Sequence, residues 1–198
     1  MSRMKIFTVG AGILRKKASE VREEKKEEYR KLVKSMTDIL KTANGLGLAA
    51  PQVGISERFF IVDTGYIEYD KATESDESGN ATYAPEIKAF LNPELISGEG
   101  SQSIEEGCLS VPEYRAEVER YHKIKVRYQD IDFKEHTENL DGLFSIVFQH
   151  ELDHINGILF IDHLSRLKRN MARKKAEKNL KQYVENRNET KIRLYGLS

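Results

Sequence analysis

An α+β fold is predicted by three features of the chain. A helical period of apolar residues runs near the N-terminus, short alternating apolar segments fill the middle, and a nearly all-apolar helix followed by a basic one closes the sequence. At 198 residues and 39% hydrophobic content, the chain can bury one core, which excludes disorder throughout. Thirty-two Lys and Arg balance thirty-two Asp and Glu, so no global field draws the protein to DNA or to a membrane. No apolar run approaches the ~18 residues of a membrane span. The N-terminal Met1-Ser-Arg-Met-Lys-Ile lacks the apolar stretch of a secretory signal. A single cysteine, Cys108, excludes an internal disulfide and fits a reducing cytoplasm.

Ser19 is placed to cap a helix whose first turns carry Glu20, Glu23 and Glu24, where the helix dipole favours anions. Tyr29, Leu32, Val33, Met36, Ile39, Leu40 and Ala43 follow a 3.6-residue period up to Asn44-Gly45. One amphipathic helix of roughly 24 residues is expected. The middle reads as β: RFFIVD (58–63), AFLN (89–92), and a period-2 alternation of Val118, Ile124, Val126, Tyr128 and Ile131 between Tyr114 and Phe133. Residues 64–86 are polar and carry no core pattern, so a long surface loop is expected there. Asp141 precedes LFSIVFQHELDHI, apolar nearly all round, which predicts a buried central helix stopping at Asn156-Gly157. A basic helix is expected from about 164 to 185, and within 166–183 eight Lys or Arg accompany one acid, Glu177. No internal repeat is visible.

The strongest chemical signal is His150-Glu-Leu-Asp-His154, an H-E-x-x-H pattern on a predicted helix. Residues four apart differ by about 40° around a helix axis, so both imidazoles can meet one ion. Glu151 then reaches a water on that ion without ligating it. Leu143, Ile146 and Val147 continue the same stripe upstream, so the pair points inward, and two uncompensated buried histidines would be costly.

The third ligand decides the chemistry. The extended metalloprotease pattern requires a histidine where this chain has Phe160, and Glu177 sits inside the basic run as a solvated acid. His163, beside Asp162 at a helix start, reads as a surface residue. Cys108 is the remaining candidate. Alone it would be a small buried hydrophobe, but it follows Gly107, which permits unusual backbone angles, and precedes a strand-like segment. A Cys-His-His set leaves a fourth position for water, the arrangement of a catalytic site. A further segment, Gly45-Leu-Gly-Leu-Ala-Ala-Pro-Gln52, lacks the spacing of a phosphate cradle, yet its small residues allow close approach of a ligand beside the Gln52 amide.

GLGLAAPQ (45–52), EGCLS (106–110) and QHELDH (149–154) resemble, in the same order, three motifs of the peptide deformylase family, which removes the N-formyl group from nascent bacterial polypeptides. Ile155, where leucine is commoner, and the long 64–86 segment depart from the family; the latter leaves the cleft's shape open. The resemblance implies short antiparallel β-sheets packed around a buried metal-binding helix, plus N- and C-terminal helices. It implies that Cys108, His150 and His154 hold one divalent ion per chain, Fe2+ physiologically, with Zn2+, Ni2+ or Co2+ able to substitute. Glu151 would move the proton, and the Gln52 amide and the Leu109 backbone N–H would stabilise the oxyanion. Gly45, Leu46, Gly47 and Gly107 match positions whose backbone holds an extended N-formylmethionyl peptide. Ile104 matches a wall of the methionine pocket beside Leu143, Ile146 and Val147, for which plain core packing is the alternative.

The expected division is a deformylase-like catalytic domain over 1–165 and a basic C-terminal helix and tail over 166–198, dispensable for hydrolysis of short peptides. In bacterial relatives a similar helix docks on the ribosome, and a merely solvated face is the alternative for 166–183. Competing readings are a zinc protease, disfavoured by Phe160 and the cysteine; a structural metal module attached to an RNA-binding helix; and an inactive deformylase-like chain, for which no catalytic residue is lost.

Overall fold

The computed structural model describes residues 4–75, 82–186 and 188–197. Strands β1 (Gly47–Ala49), β2 (Phe59–Asp63), β3 (Ile87–Glu99), β4 (Gln102–Cys108), β5 (Val111–Arg120), β6 (Lys123–Gln129) and β7 (Glu135–Asp141) accompany helices α1 (Lys26–Ala43), α2 (Thr64–Ser75), α3 (Gly142–Ile155), α4 (Arg166–Glu185) and α5 (Glu189–Tyr195). An antiparallel sheet runs β1-β2-β3-β6-β7, and β4 and β5 form a separate antiparallel hairpin. The α+β class and its short antiparallel sheets around a buried helix are those expected. Among the described residues, no helix is long and apolar enough to cross a membrane.

The continuous apolar run of β2 has a simple cause: both faces of the sheet are covered. Side chains alternate along a strand, so Phe60 and Val62 join a core with Val147, Phe148 and Ile155 of α3, while Phe59 and Ile61 pack with Tyr29, Met36 and Leu40 of α1. Phe148 meets Phe60 and Phe90 edge-on, with centroids 5.1 and 5.4 Å apart, the preferred aromatic geometry. The buried helix α3 is thus anchored from its middle, just before the H-E-x-x-H residues.

Several expectations change. The N-terminal helix starts at Lys26 after a 3-10 turn over Glu23–Lys25, rather than at Ser19. Ser19 instead bridges Glu57, and its hydroxyl donates to the Ser56 carbonyl at 3.0 Å. The segment is held extended because Val21 is buried and its N–H is bound by Asn92 Oδ1 at 2.9 Å. At the other end Asn44, not Gly45, takes the left-handed conformation, with φ 53°. The alternating stretch 114–133 breaks at Tyr121-His122 into strands of different sheets, and Ile131 falls in the turn before β7. Sequence patterning marks neither β4 nor β7; in β7 only Leu140 is buried, so it shows no apolar alternation.

The loop expected over 64–86 begins as helix α2. Asp63 Oδ1 accepts the Tyr66 N–H at 3.1 Å, Ile67 is fully buried, and the rings of Tyr66, Tyr69 and Tyr83 cluster 6.0–6.1 Å apart. One apolar anchor and three tyrosines are too few to show a period. Residues 76–81 of that segment lie outside the described residues.

The C-terminal elements pack on the rest of the chain. Ala172 and Ala176 of α4 are buried with Val9, Leu14, Val111 and Leu159. Helix α5, too short to be anticipated, buries Leu194 and Tyr195 against Ile6, whose N–H donates to the Leu194 carbonyl at 2.8 Å. This packing changes the expectation for truncation. Removing 166–198 would expose both clusters, so a 1–165 chain should melt at least about 10 °C below the full chain or lose cooperative unfolding. Thermal melts followed by circular dichroism check this.

Candidate active site

Helix α3 carries His150, Glu151 and His154, and the end of β4 brings Cys108 to them. The helix stops before Gly157, at φ +79°, where an added Cβ would lie 2.9 Å from the backbone carbonyl of Arg15. Cys108 Sγ is 3.2 Å from His154 Nε2, and one donor atom from each of Cys108, His150 and His154 lies within 4.8 Å of the others. The backbone freedom expected of Gly107 is not used. Gly107 has no positive φ, pairs with Arg115 in the hairpin, and an added Cβ there would make only ordinary contact with Arg115 at 3.4 Å. A register break places the thiol instead: Gly107 pairs with Arg115 but Cys108 with Val111, leaving Leu109-Ser110 as a two-residue turn.

Behind the ligands runs a chain of buried charges. His150 Nδ1 is 2.8 Å from Glu106 Oε2. Arg120 donates to both Glu106 oxygens at 2.7 and 3.1 Å and to Asp153 at 2.6 Å, and Asp153 also pairs with His163 at 2.8 Å. Burial favours a neutral Glu106, but the hydrogen bonds from His150 and Arg120 outweigh it and lower the pKa to about 2. Burial likewise opposes a charged His150, yet hydrogen bonds with Cys108 and Glu106 raise its pKa well above the usual value. His154 moves the other way, driven by burial and then by the charge of His150. Burial raises Glu151 to about 7. Among the described residues, Glu151 Oε2 and His154 Nδ1 are buried with no hydrogen-bond partner.

These features fit a divalent transition-metal ion. A thiol and two imidazoles are donors that such ions accept. His150 commits Nδ1 to Glu106, the usual way a ligand histidine is oriented, and that leaves Nε2 for an ion. The unpartnered Glu151 oxygen is a buried acceptor beside the same cluster, which suits a proton carrier rather than a structural group.

A cleft of about 580 Å³ opens over the cluster. Gly45, Leu46 and Gly47 line it, as do Ile104, Gly107 and Leu109. Leu143, Ile146 and Val147 border it with His150 and Glu151, while Ile146 and Val147 are also largely buried. Gln52 reaches in beside Cys108. Its Oε1 accepts the Ala49 N–H at 2.7 Å, so Nε2 must face Ser110 Oγ at 3.2 Å and Cys108 Sγ at 3.6 Å. Every residue expected to take part in the site lies on the cleft except His154, buried beside the thiol. His163 pairs with Asp153 and stays away from the ligand set, as its surface reading requires.

Sequence reasoning passed over Glu106, Asp153 and Arg120, and the three groups that the C-terminal elements add to the cleft: Lys175, Lys191 and Tyr195. Glu106 and Asp153 stand inside the quoted motifs and could have been found there. Arg120 carries no signal, because an arginine in an exposed-looking alternating strand reads as surface.

A sequence model of the polypeptide deformylase family matches residues 3–170. A peptide deformylase of Desulfotalea psychrophila is 44% identical over 180 residues, covering 90% of this chain and 97% of the relative. Among solved structures, a peptide deformylase from Ehrlichia chaffeensis superposes with a TM-score of 0.80 at 30% identity, covering 92% of this chain and 99% of that one. One from Legionella pneumophila gives 0.78 at 36% identity, with 92% and 98% covered.

Gly47 offers a direct test of the site's geometry. A Cβ there would lie 2.5 Å from Glu151 Oε1 and 2.8 Å from its Cδ, so Gly47→Ala must displace the carboxylate. Hydrolytic turnover should fall about 10²-fold through misplacement, with a stability loss of roughly 1–3 kcal/mol from overpacking. Steady-state kinetics and a thermal melt measure the two effects.

Proposed function

The chain belongs to the polypeptide deformylase family, which removes the N-formyl group from nascent polypeptides and releases formate, and on that premise we propose how its residues divide the work. The reading is carried by one observation: Cys108, His150 and His154 converge beside a buried carboxylate, Glu151, with an unpartnered oxygen. Cys108, His150 and His154 would hold one divalent ion, Fe2+ as in the family, with Zn2+, Ni2+ or Co2+ as alternatives. When bound, the ion supplies Lewis acidity that makes water a nucleophile at neutral pH. Glu151 accepts the proton of the attacking water and delivers it to the departing amine. Gln52, its amide orientation set by Ala49, and the Leu109 backbone N–H donate to the oxyanion that develops on the formyl oxygen; one such donor is worth roughly 3–4 kcal/mol of barrier.

The substrate's path follows from the sheets. β1 is an edge strand and β4 has a free edge, so an extended peptide lies between Gly45–Gly47 and Gly107, using backbone groups as a strand would. Ile104, Leu143, Ile146 and Val147 receive the methionine side chain. The lone cysteine and a substrate made during translation support a cytoplasmic location.

Formate release from formyl-Met-Ala-Ser by anaerobically Fe2+- or Zn2+-loaded protein tests the reading. An acetyl-Met peptide should react far more slowly, and equal rates on the two would overturn the assignment. Glu151→Gln should lower kcat by about 10²–10⁴-fold. Only the carboxylate of Glu151 accepts a proton, so kcat/KM should fall with an acid limb at or below about pH 7, the adjacent cation favouring the charged form. In metal-free protein the raised pKa means that the folded state binds more protons than the unfolded between about 4.5 and 7, so stability falls as pH rises through that window. Metal-free Glu151→Gln should therefore exceed the wild type above pH 7, by about 3 kcal/mol.

We also propose that α4 docks on ribosomal RNA. Arg173, Lys174, Lys178 and Lys181 are exposed and form no salt bridge among the described residues, while Leu167 and Met171 stand exposed on the same helix. Cosedimentation with ribosomes should weaken steeply with salt and be lost in Lys174→Glu/Lys178→Glu. Unchanged binding by that variant would refute the docking.

A further inference from the structure

We propose that Tyr195, on the short C-terminal helix, is a positioning residue for the hydrolysis, fixing the Leu109 peptide beside Cys108. The inference rests on the reading of the Leu109 N–H as an oxyanion donor. Tyr195 is 5% exposed and borders the cleft. Its hydroxyl donates to the Leu109 carbonyl at 3.1 Å, and Leu109 packs against the cluster formed by Ile6, Leu194 and Tyr195.

The turn's geometry makes this contact matter. Cys108-Leu109 carries the amide N–H that would meet the oxyanion, and Leu109-Ser110 carries the carbonyl that Tyr195 holds. Only the two backbone dihedrals of Leu109 separate them. Ser110 is already tied on both sides, its carbonyl accepting the Val9 N–H at 2.8 Å and its hydroxyl facing the Gln52 amide at 3.2 Å. The Leu109 carbonyl is thus the remaining handle on the turn, and the tail supplies its donor.

The tail itself is well seated. Ile6 N–H binds the Leu194 carbonyl at 2.8 Å, and the Tyr195 ring stacks on Tyr183 at 6.0 Å with planes 4° apart. Two further tail hydrogen bonds reach the start of β5: Asn179 donates to the Pro112 carbonyl at 3.3 Å and Tyr183 to Glu113 at 2.8 Å. Tyr195 differs from them in touching the residue next to the thiol. A preorganised donor acts only if its direction is held before the reaction, and a small displacement costs rate rather than binding.

The test compares Tyr195→Phe with the wild type on formyl-Met-Ala-Ser, using the full metal-loaded chain well below its melting temperature. Phenylalanine keeps the packing and removes only the hydroxyl. The proposal expects kcat to fall roughly tenfold with KM within about twofold. Tyr183→Phe, which keeps its ring against Tyr195 and loses a tail hydrogen bond to Glu113 rather than to Leu109, should keep wild-type kcat. Wild-type kcat in Tyr195→Phe overturns the proposal, as does a rise in KM alone, which would make Tyr195 a binding group. An equal loss in Tyr183→Phe also overturns it, by showing general loosening of the tail. Glu151→Gln run in parallel separates the two levels of the argument. If that variant is fully active, the reading of the site fails; if it is dead while Tyr195→Phe matches the wild type, only the positioning role fails.

Discussion

The site depends on placing five ionisable groups, Glu106, Arg120, His150, Glu151 and His154, inside a packed interior. Taking such groups out of water costs several kcal/mol each unless they are paired. The Glu106 carboxylate answers both His150 and Arg120, and Arg120 in turn answers Asp153. Each member orients the next, so the ring of His150 has one allowed direction. Glu151 and His154 are the exceptions, each with a buried atom that has no hydrogen-bond partner among the described residues. Glu151 packs against Gly47, and its burial raises its pKa. The same burial that would be a defect in a structural carboxylate suits the proton-carrying role proposed for Glu151.

The hydrophobic architecture serves this arrangement. The five-stranded sheet is covered on both faces, by α1 and by α3, and the aromatic contacts of Phe148 with Phe60 and Phe90 fix the helix axis two residues before His150. With that axis fixed, the i, i+4 spacing of His150 and His154 decides where their nitrogens meet. Cys108 then has to arrive from elsewhere, and it does so on a hairpin whose register breaks at the required residue.

The chemistry was therefore more legible in the sequence than the fold around it. His150, Glu151 and His154 announce themselves because helical spacing alone brings them together, and α3 is apolar enough to be recognised as buried. Strand β2 shows as an apolar run because both its faces are covered. β7 and α2 do not, since Leu140 and Ile67 are nearly their whole contribution to the core. Ser19 looks like a cap, but Val21 and Asn92 bind its segment to the sheet, and a tertiary contact of that kind leaves no local trace. Arg120 is hidden for the same reason. Its role exists only because Glu106 and Asp153, distant in sequence, meet in space.

Helix α5 extends that lesson to the two ends of the chain. Ile6 and Leu194 pair, Val9 holds Ser110, and Asn179 and Tyr195 hold Pro112 and Leu109. The short turn after the cysteine is consequently gripped by residues from both chain ends and by Gln52 between them. A two-residue turn cannot fix itself: it has few internal hydrogen bonds, and its peptide planes rotate at little cost. Precision at Leu109 must come from outside the hairpin, and the termini are the segments that fold close enough to provide it. A tail that reads in sequence as a charged appendage thereby becomes part of the wall that holds the turn beside Cys108.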